Sequence, residues 1–232
     1  DRKQDAVIAY RAALNISPVA ANTHLYLASA LESLSEEQDA LKHYELATKV
    51  DPKLSLAFTY WGALLQKGGD LSLAIDKCRR AVETDPLSAD AFLGLGTALY
   101  EDGGLDEAIA SYRKAIEVKP HFADAYLNLG VVLKEEGEVG EAIASYRKAI
   151  EVKPDFADAY LNLGVVLKEE GEVDESRQIV AALSQIKPLE DEALIIIQDK
   201  ALVFDWHHRR ALSLSALTKL TNFSRLPLTI HS

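Results

Sequence analysis

The sequence predicts an all-α solenoid of stacked helix pairs, and two observations lead to this fold class. The 34 residues at 107–140 recur at 141–174 with differences at only two positions, one of which is His121 against Asp155. Six of the seven prolines also recur at a 34-residue interval. These prolines are Pro18, Pro52, Pro86, Pro120, Pro154 and Pro188. A fixed period of this length is typical of solenoids, whose units stack because one unit alone cannot bury its apolar surface.

Each unit is predicted to contain two amphipathic helices joined by a short turn. In one of the two near-identical copies the first helix spans 124–136 and the second spans 141–152. Gly137 lies between them, where a left-handed glycine ends a helix at low cost, and Pro154 ends the second helix because it lacks an amide hydrogen. The residues predicted to face inward are Tyr126, Leu129, Gly130 and Leu133 in the first helix, and Ala142, Ile143, Tyr146, Ala149 and Ile150 in the second.

Small residues recur in columns along the chain, which predicts close helix crossings. Alanine or glycine at a crossing lets two helix backbones approach, while larger side chains fill the space beside them. The columns are Ala6, Ala40, Ala74, Ala108 and Ala142; Ala13, Ala47, Ala81, Ala115 and Ala149; and Ala28, Gly62, Gly96, Gly130 and Gly164.

The spacing of these aromatic, Leu-Gly, Ala, Tyr, Ala and Pro positions resembles the tetratricopeptide repeat family over 5–190, about four fifths of the chain. The resemblance implies a right-handed superhelical solenoid of helix-turn-helix repeats. Residues 1–20 are interpreted as a partial repeat that holds only a second helix, and 191–232 as C-terminal capping helices and a tail, because solenoids need covered ends. Between them we predict five repeats, at 21–54, 55–88, 89–122, 123–156 and 157–190.

The composition excludes several classes of function. A formal net charge of -11 argues against a nucleic-acid-binding protein and against attraction to anionic membranes. The single cysteine, Cys78, rules out an internal disulfide framework. The longest strongly apolar run, at Leu194–Ile197, is far shorter than the roughly 20 residues that span a bilayer. We therefore expect a cytoplasmic protein without membrane contact.

No constellation of catalytic residues is recognisable, so the chain is predicted not to be an enzyme. The glycines of Leu93–Gly96 fall inside a predicted helix and are interpreted as packing residues. Cys78 occupies the column of Tyr10, Tyr44, Tyr112 and Tyr146, which indicates a core position. His207 and His208 are adjacent, which places them on different sides of a helix, and the other four histidines are scattered. No metal site and no cofactor are predicted.

The resemblance implies that the first helix of each pair lines a concave groove. The groove residues predicted on this basis are Asp90, Asp124 and Asp158; Tyr26, Tyr60, Asn128 and Asn162; and Tyr100, Lys134 and Lys168. Asparagine can donate to and accept from the backbone of an extended peptide, although these asparagines can equally be tolerated groove residues. The aspartates also lie near helix starts, where they favour the helix dipole. A basic or neutral extended segment suits this acidic groove.

Two hypotheses for function follow. The first is a non-enzymatic scaffold that holds a peptide or partner protein in the groove. The second is a recognition arm of a larger enzyme, since the wording FADAYLNLG at 122–130 and 156–164 resembles the repeats of O-linked N-acetylglucosamine transferases, in which an Asp-Trp pair follows the last helix as Asp205-Trp206 does here. A further prediction is self-association, through the open N-terminal repeat face and Leu194–Ile197.

Overall fold

The computed structural model describes residues 2–186 of the chain, and the side chains of this range as far as residue 183. All regular secondary structure within this range is α-helical. The helices are α1 (Arg2–Ile16), α2 (Ala21–Glu32), α3 (Glu37–Val50), α4 (Ser55–Lys67), α5 (Leu71–Thr84), α6 (Ala89–Glu101), α7 (Leu105–Val118), α8 (Ala123–Glu135), α9 (Val139–Val152), α10 (Ala157–Glu169) and α11 (Val173–Ile186). The prediction of an all-α solenoid of helix pairs is confirmed.

The helices end where proline and glycine occur in the sequence. Helices α1, α3, α5, α7 and α9 each end two residues before a proline of the 34-residue series, as proline chemistry requires. Within the later pairs a glycine with positive φ follows the first helix, for example Gly137 at 83°. Ser35 holds the same place between α2 and α3 with φ 63°, a conformation that costs a residue with a Cβ more than it costs glycine.

The strongest packing is within the pairs, where α2 packs on α3, α4 on α5, α6 on α7, α8 on α9 and α10 on α11. We call α2, α4, α6, α8 and α10 the first helices, and α3, α5, α7, α9 and α11 the second helices. Successive first helices also contact one another from α4 onward, whereas contacts between successive second helices are sparser. The stack therefore curves with its first helices on the inner side.

Long side chains cross the wider gap between the second helices. Arg79 Nη2 lies 2.8 Å from Glu107 Oε2 and Arg113 Nη2 lies 2.9 Å from Glu141 Oε2. Arg147 Nη2 continues the series at 2.6 Å from Glu175 Oε1. Each pair joins one second helix to the next, and each is largely exposed, so the individual contribution to stability is small.

The core lies between the two helix layers and is built from the predicted columns. Ala40, Ala74, Ala108 and Ala142 are fully buried, and so are Ala47, Ala81, Ala115 and Ala149. A Cβ built on Gly130 would lie 2.6 Å from Cε1 of Tyr146, and one on Gly96 would lie 2.7 Å from Cε1 of Tyr112. Glycine is required at these two crossings because a tyrosine ring fills the place of its side chain.

Helix α1 packs on α2 and keeps an apolar surface in solvent. Ile8 and Ile16 of α1 are 65% and 88% exposed, and Ala13 is exposed although its counterparts in α3 to α9 are buried. The interpretation of residues 1–20 as a second helix without its first helix stays a prediction. The predicted self-association through this face stays a prediction, as do the repeat boundaries. The predicted cap at 191–232 lies outside the described residues.

Candidate functional site

The inner side of the stack carries a column of side chains, one from each first helix, that the sequence had singled out. In chain order these are Tyr26, Tyr60, Gly94, Asn128 and Asn162. Tyr26 and Tyr60 are 50% and 40% exposed, and both asparagines are half-buried. We call this surface, together with the last turns of the first helices, the first-helix face. Its column changes from aromatic at α2 and α4 to amide at α8 and α10.

The first three members of this column lie against the second helix of the preceding pair. Tyr26 stacks on Tyr10 with ring centroids 6.1 Å apart, and Tyr60 meets Tyr44 edge-on at 6.5 Å. Gly94 lies opposite Cys78, whose Sγ would be 3.6 Å from a Cβ on that glycine. Two small residues, Gly94 and Cys78, thus separate the tyrosines of the column from its asparagines.

The Asn128 side chain lies near the buried hydroxyl of Tyr112. Burial raises the pKa of Tyr112 above its usual value, against the smaller lowering effects of the neighbouring Thr97 and Asn128 side chains. The Tyr112 hydroxyl donates to Thr97 Oγ1 at 3.3 Å. Asn128 of α8 therefore lies beside Tyr112 of α7, and its amide can both donate to and accept from a ligand.

The polar residues at the ends of the later first helices bond to the next pair. The Tyr100 hydroxyl of α6 donates to the Glu135 carboxylate of α8. Lys134 Nζ lies 2.7 Å from Glu169 Oε2, and both side chains are largely shielded, at 26% and 30% exposure. Lys168, the third predicted lysine or tyrosine of this column, is half-buried. Tyr100 and Lys134 are thus engaged within the chain.

The predicted aspartates lie in the first turns of α6, α8 and α10. Asp90 and Asp124 are exposed and Asp158 is half-buried. Their position favours the helix dipole. They add negative charge to the start of each of these helices, but the structure does not gather them with the tyrosines into one pocket.

A cleft of about 340 Å³ opens on the first-helix face between α2 and α4. Its lining includes Ser29 and Glu32 from α2, Tyr44 from α3, and Tyr60, Ala63 and Lys67 from α4. The Tyr44 hydroxyl donates to Glu32 Oε2 at 3.0 Å. Burial, and then the charge of Glu32, raise the pKa of Tyr44 far above its usual value, so it stays a neutral donor. Lys67 at the rim pairs with Glu37 at 2.8 Å.

Sequence reasoning identified Tyr60 but missed the rest of this cleft. Glu32 occupies the column of Tyr100, Lys134 and Lys168, so its place on the first-helix face could have been read from the period. Tyr44 was expected to be a core residue, and its ring is buried. Its hydroxyl nevertheless reaches the cleft wall, which only the packing of α3 between α2 and α4 shows.

The structure brings together two histidines that are far apart in the sequence. Nδ1 of His24 lies 2.9 Å from Nδ1 of His43, and Nε2 of His24 lies 3.0 Å from the Pro18 carbonyl oxygen. Burial, and the neighbouring His24, lower the pKa of His43, against the raising effect of Asp39. No group of three or more His, Cys, Asp or Glu side chains within 2–183 is arranged to hold a metal ion.

Two other expectations concern reactivity and the membrane. Cys78 is buried, and burial raises the pKa of its thiol to about 12, which fits the predicted core role. Along the described helices, α1 to α11, no segment is both long and apolar enough to cross a membrane.

Comparisons with known proteins agree with this architecture. Residues 96–137 and 132–171 match a family model described as TPR repeat. Over 96–171 the chain is therefore similar to TPR repeats. Comparison with curated proteins gave no match.

Three solved structures are similar over most of the chain. MamA is 28% identical, with 69% of this chain and 94% of MamA covered and a TM-score of 0.64. YrrB, described as a TPR protein with an unusual peptide-binding site, is 24% identical, with 82% and 98% covered and a TM-score of 0.64. PilF of Pseudomonas aeruginosa is 19% identical, with 84% and 83% covered and a TM-score of 0.68. The last two likenesses show the fold alone.

Proposed function

We propose that this chain is a non-enzymatic scaffold that binds an extended peptide segment of a partner protein along its first-helix face. The observation that carries the proposal is the face itself. It lies on the inner side of the curved stack and combines exposed tyrosines, half-buried asparagines and an open cleft. Such a surface offers stacking area and amide groups to a peptide backbone. TPR proteins generally serve as interaction scaffolds, and the fold neighbour YrrB is described as having a peptide-binding site.

The charge of the face favours a basic or neutral segment over an acidic one. Asp90 and Asp124 are exposed at the starts of α6 and α8, and Glu32 lies in the cleft. Two lysines on this face are engaged: Lys134 pairs with Glu169, and Lys67 pairs with Glu37. An acidic ligand would meet exposed carboxylates with few cations left to balance its charge.

Peptide binding at the end of the face that carries the asparagines, on α8 and α10, is tested with the double variant Asn128→Ala plus Asn162→Ala. The probe is a random peptide library displayed on phage, selected on the full chain. Because two backbone hydrogen-bonding sites are lost, the selected peptides should bind about tenfold more weakly. The matched control is Lys114→Ala plus Lys148→Ala, which changes one exposed column on α7 and α9. Equal affinities for both variants, with helicity and melting temperature preserved, would contradict a role for the asparagines.

The alternative of a recognition arm in a larger enzyme rests on Asp205-Trp206, which lies outside the described residues. A recognition arm would bind the same kind of ligand on the same face. It would differ from a scaffold only in that the bound protein is then a substrate of the enzyme. The full reading frame decides it, because a glycosyltransferase would need a nucleotide-sugar-binding domain beyond Ser232.

A further inference from the structure

We propose that the cleft between α2 and α4 is a side-chain pocket for an arginine of the bound peptide, held by the Glu32 carboxylate and the Tyr60 ring. This inference rests on the proposed peptide-binding function and names the residue type that this part of the face recognises. It follows from the charge, the shape and the aromatic wall of the cleft.

The charge of the cleft favours a cation. Glu32 forms no ion pair with any residue of the described range 2–183, and its hydrogen-bond partner, the Tyr44 hydroxyl, is neutral. Lys67, the cation at the rim, already pairs with Glu37 at 2.8 Å. A half-buried carboxylate without a counter-ion therefore faces the cleft, and a charge-assisted hydrogen bond from a ligand would compensate it.

The helix termini add to this preference. Helix α2 ends at Glu32 and α4 ends at Lys67, so both present their carbonyl ends to this part of the face. Helix C-termini carry partial negative charge and favour cations. Lys3 of α1 already uses one of these carbonyls, since its Nζ donates to the Ser33 oxygen at 3.1 Å. The end of α2 thus attracts one cation within the chain, and the cleft has room for another.

The wall of the cleft favours arginine over lysine. The Tyr60 ring is 40% exposed and is held edge-on against Tyr44, so it offers a fixed aromatic surface beside the carboxylate. A planar guanidinium can stack on such a ring while its fork of N–H donors reaches a carboxylate, whereas an ammonium group cannot do both in this way. Ser29 and Ala63, small residues of the same column, leave the space between α2 and α4 open.

The same place is filled differently in the later pairs. The counterparts of Glu32 in α6 and α8 are Tyr100 and Lys134, and each bonds to a glutamate of the following first helix. Glu32 is the one carboxylate of its column, since its other members are Gln66, Tyr100, Lys134 and Lys168. The arginine pocket is therefore expected once along the described face, between α2 and α4.

The test compares arginine-containing peptides from the phage selection with peptides in which that arginine is replaced by citrulline, its neutral isostere. For the unmodified chain, citrulline should weaken binding by about 10- to 100-fold, the effect of losing a charged hydrogen bond. In Glu32→Gln, which keeps an acceptor for the Tyr44 hydroxyl, both peptides should bind with the same weak affinity. Tyr60→Leu should reduce the preference for arginine over lysine.

The matched control is Glu101→Gln, which removes an exposed carboxylate at the end of α6 without touching the cleft. It should retain the full difference between arginine and citrulline. If Glu32→Gln also retains that difference, the pocket is wrongly assigned although peptide binding stands. If the unmodified chain selects no peptides at all, the proposed function fails and the pocket with it.

Discussion

The two ends of the first-helix face differ although the same columns supply them. At α2 and α4 the face carries exposed tyrosines and a glutamate, Glu32, that has no cationic partner among the residues that the structure describes. At α8 and α10 it carries half-buried asparagines and a shielded Lys134–Glu169 ion pair. The alanine columns behind both ends are fully buried in the same way. The comparison shows that one stacking scheme can present two surfaces, because the columns that set the packing are separate from the columns that face the ligand.

The packing behind the face also differs between the ends, at the crossing of the two helices in a pair. Ala28 opposes Tyr44 in the α2–α3 pair, and both are fully buried. Gly130 opposes Tyr146 in the α8–α9 pair, where a Cβ would lie 2.6 Å from the ring. The first pair accommodates a methyl group that the later pair has no space for.

The largest effect on stability is expected from Gly130→Ala. This substitution tests whether the α8–α9 pair can adopt the helix spacing of the α2–α3 pair. Overpacking against the Tyr146 ring should lower the free energy of unfolding by about 1–3 kcal/mol, more than the gain in helix propensity. The matched change Gly140→Ala, where nothing lies within 4 Å, should raise it by up to about 1 kcal/mol. Urea titration followed by circular dichroism measures both. A Gly130→Ala chain as stable as Gly140→Ala would mean that the two ends do not differ in packing.

The sequence predicted the architecture well because the 34-residue period repeats each packing contact several times. The proline positions, the buried alanines and the glycine–tyrosine crossings all follow from it. The predicted face residues were placed on the inner side, yet Tyr100 and Lys134 turned out to bond within the chain. Periodicity gives the side of a helix on which a residue lies. It does not say whether a long polar side chain reaches the neighbouring helix first.

The irregular positions were the ones that the period could not resolve. Glu32 and Tyr44 come together because α3 packs on α2. His24 and His43 are 19 residues apart and meet at 2.9 Å for the same reason. Glu32, His24 and His43 depart from the usual residue types of their columns, which was the signal available in the sequence. Tyr44 is the usual type of its column, so no signal was available there.

An intermediate effect is expected at the turn that joins the two helices of a pair. Ser35 between α2 and α3 has φ 63°, whereas Gly137 between α8 and α9 has φ 83°. Since an L residue in this left-handed region is strained, Ser35→Gly should raise the free energy of unfolding and Gly137→Ser should lower it, each by about 1 kcal/mol. Urea titration of the two variants measures the difference. Changes of the same sign would show that the turns at the two ends are not equivalent.

The smallest effect on stability is expected from two ion pairs. One is the shielded pair Lys134–Glu169 on the first-helix face, and the other is the exposed pair Arg113–Glu141 between second helices. Double-mutant cycles with alanine should give a coupling energy of about 0.5–1 kcal/mol for Lys134–Glu169 and less than about 0.5 kcal/mol for Arg113–Glu141. The reason is exposure, which is 26% and 30% for the first pair against 57% and 62% for the second. Added salt should reduce the second coupling more, because exposed charges are screened more strongly. If the order were reversed, Lys134 would be only loosely held by Glu169. It would then be available to a ligand, and the amide end of the face would attract acidic peptides as readily as the tyrosine end attracts basic ones.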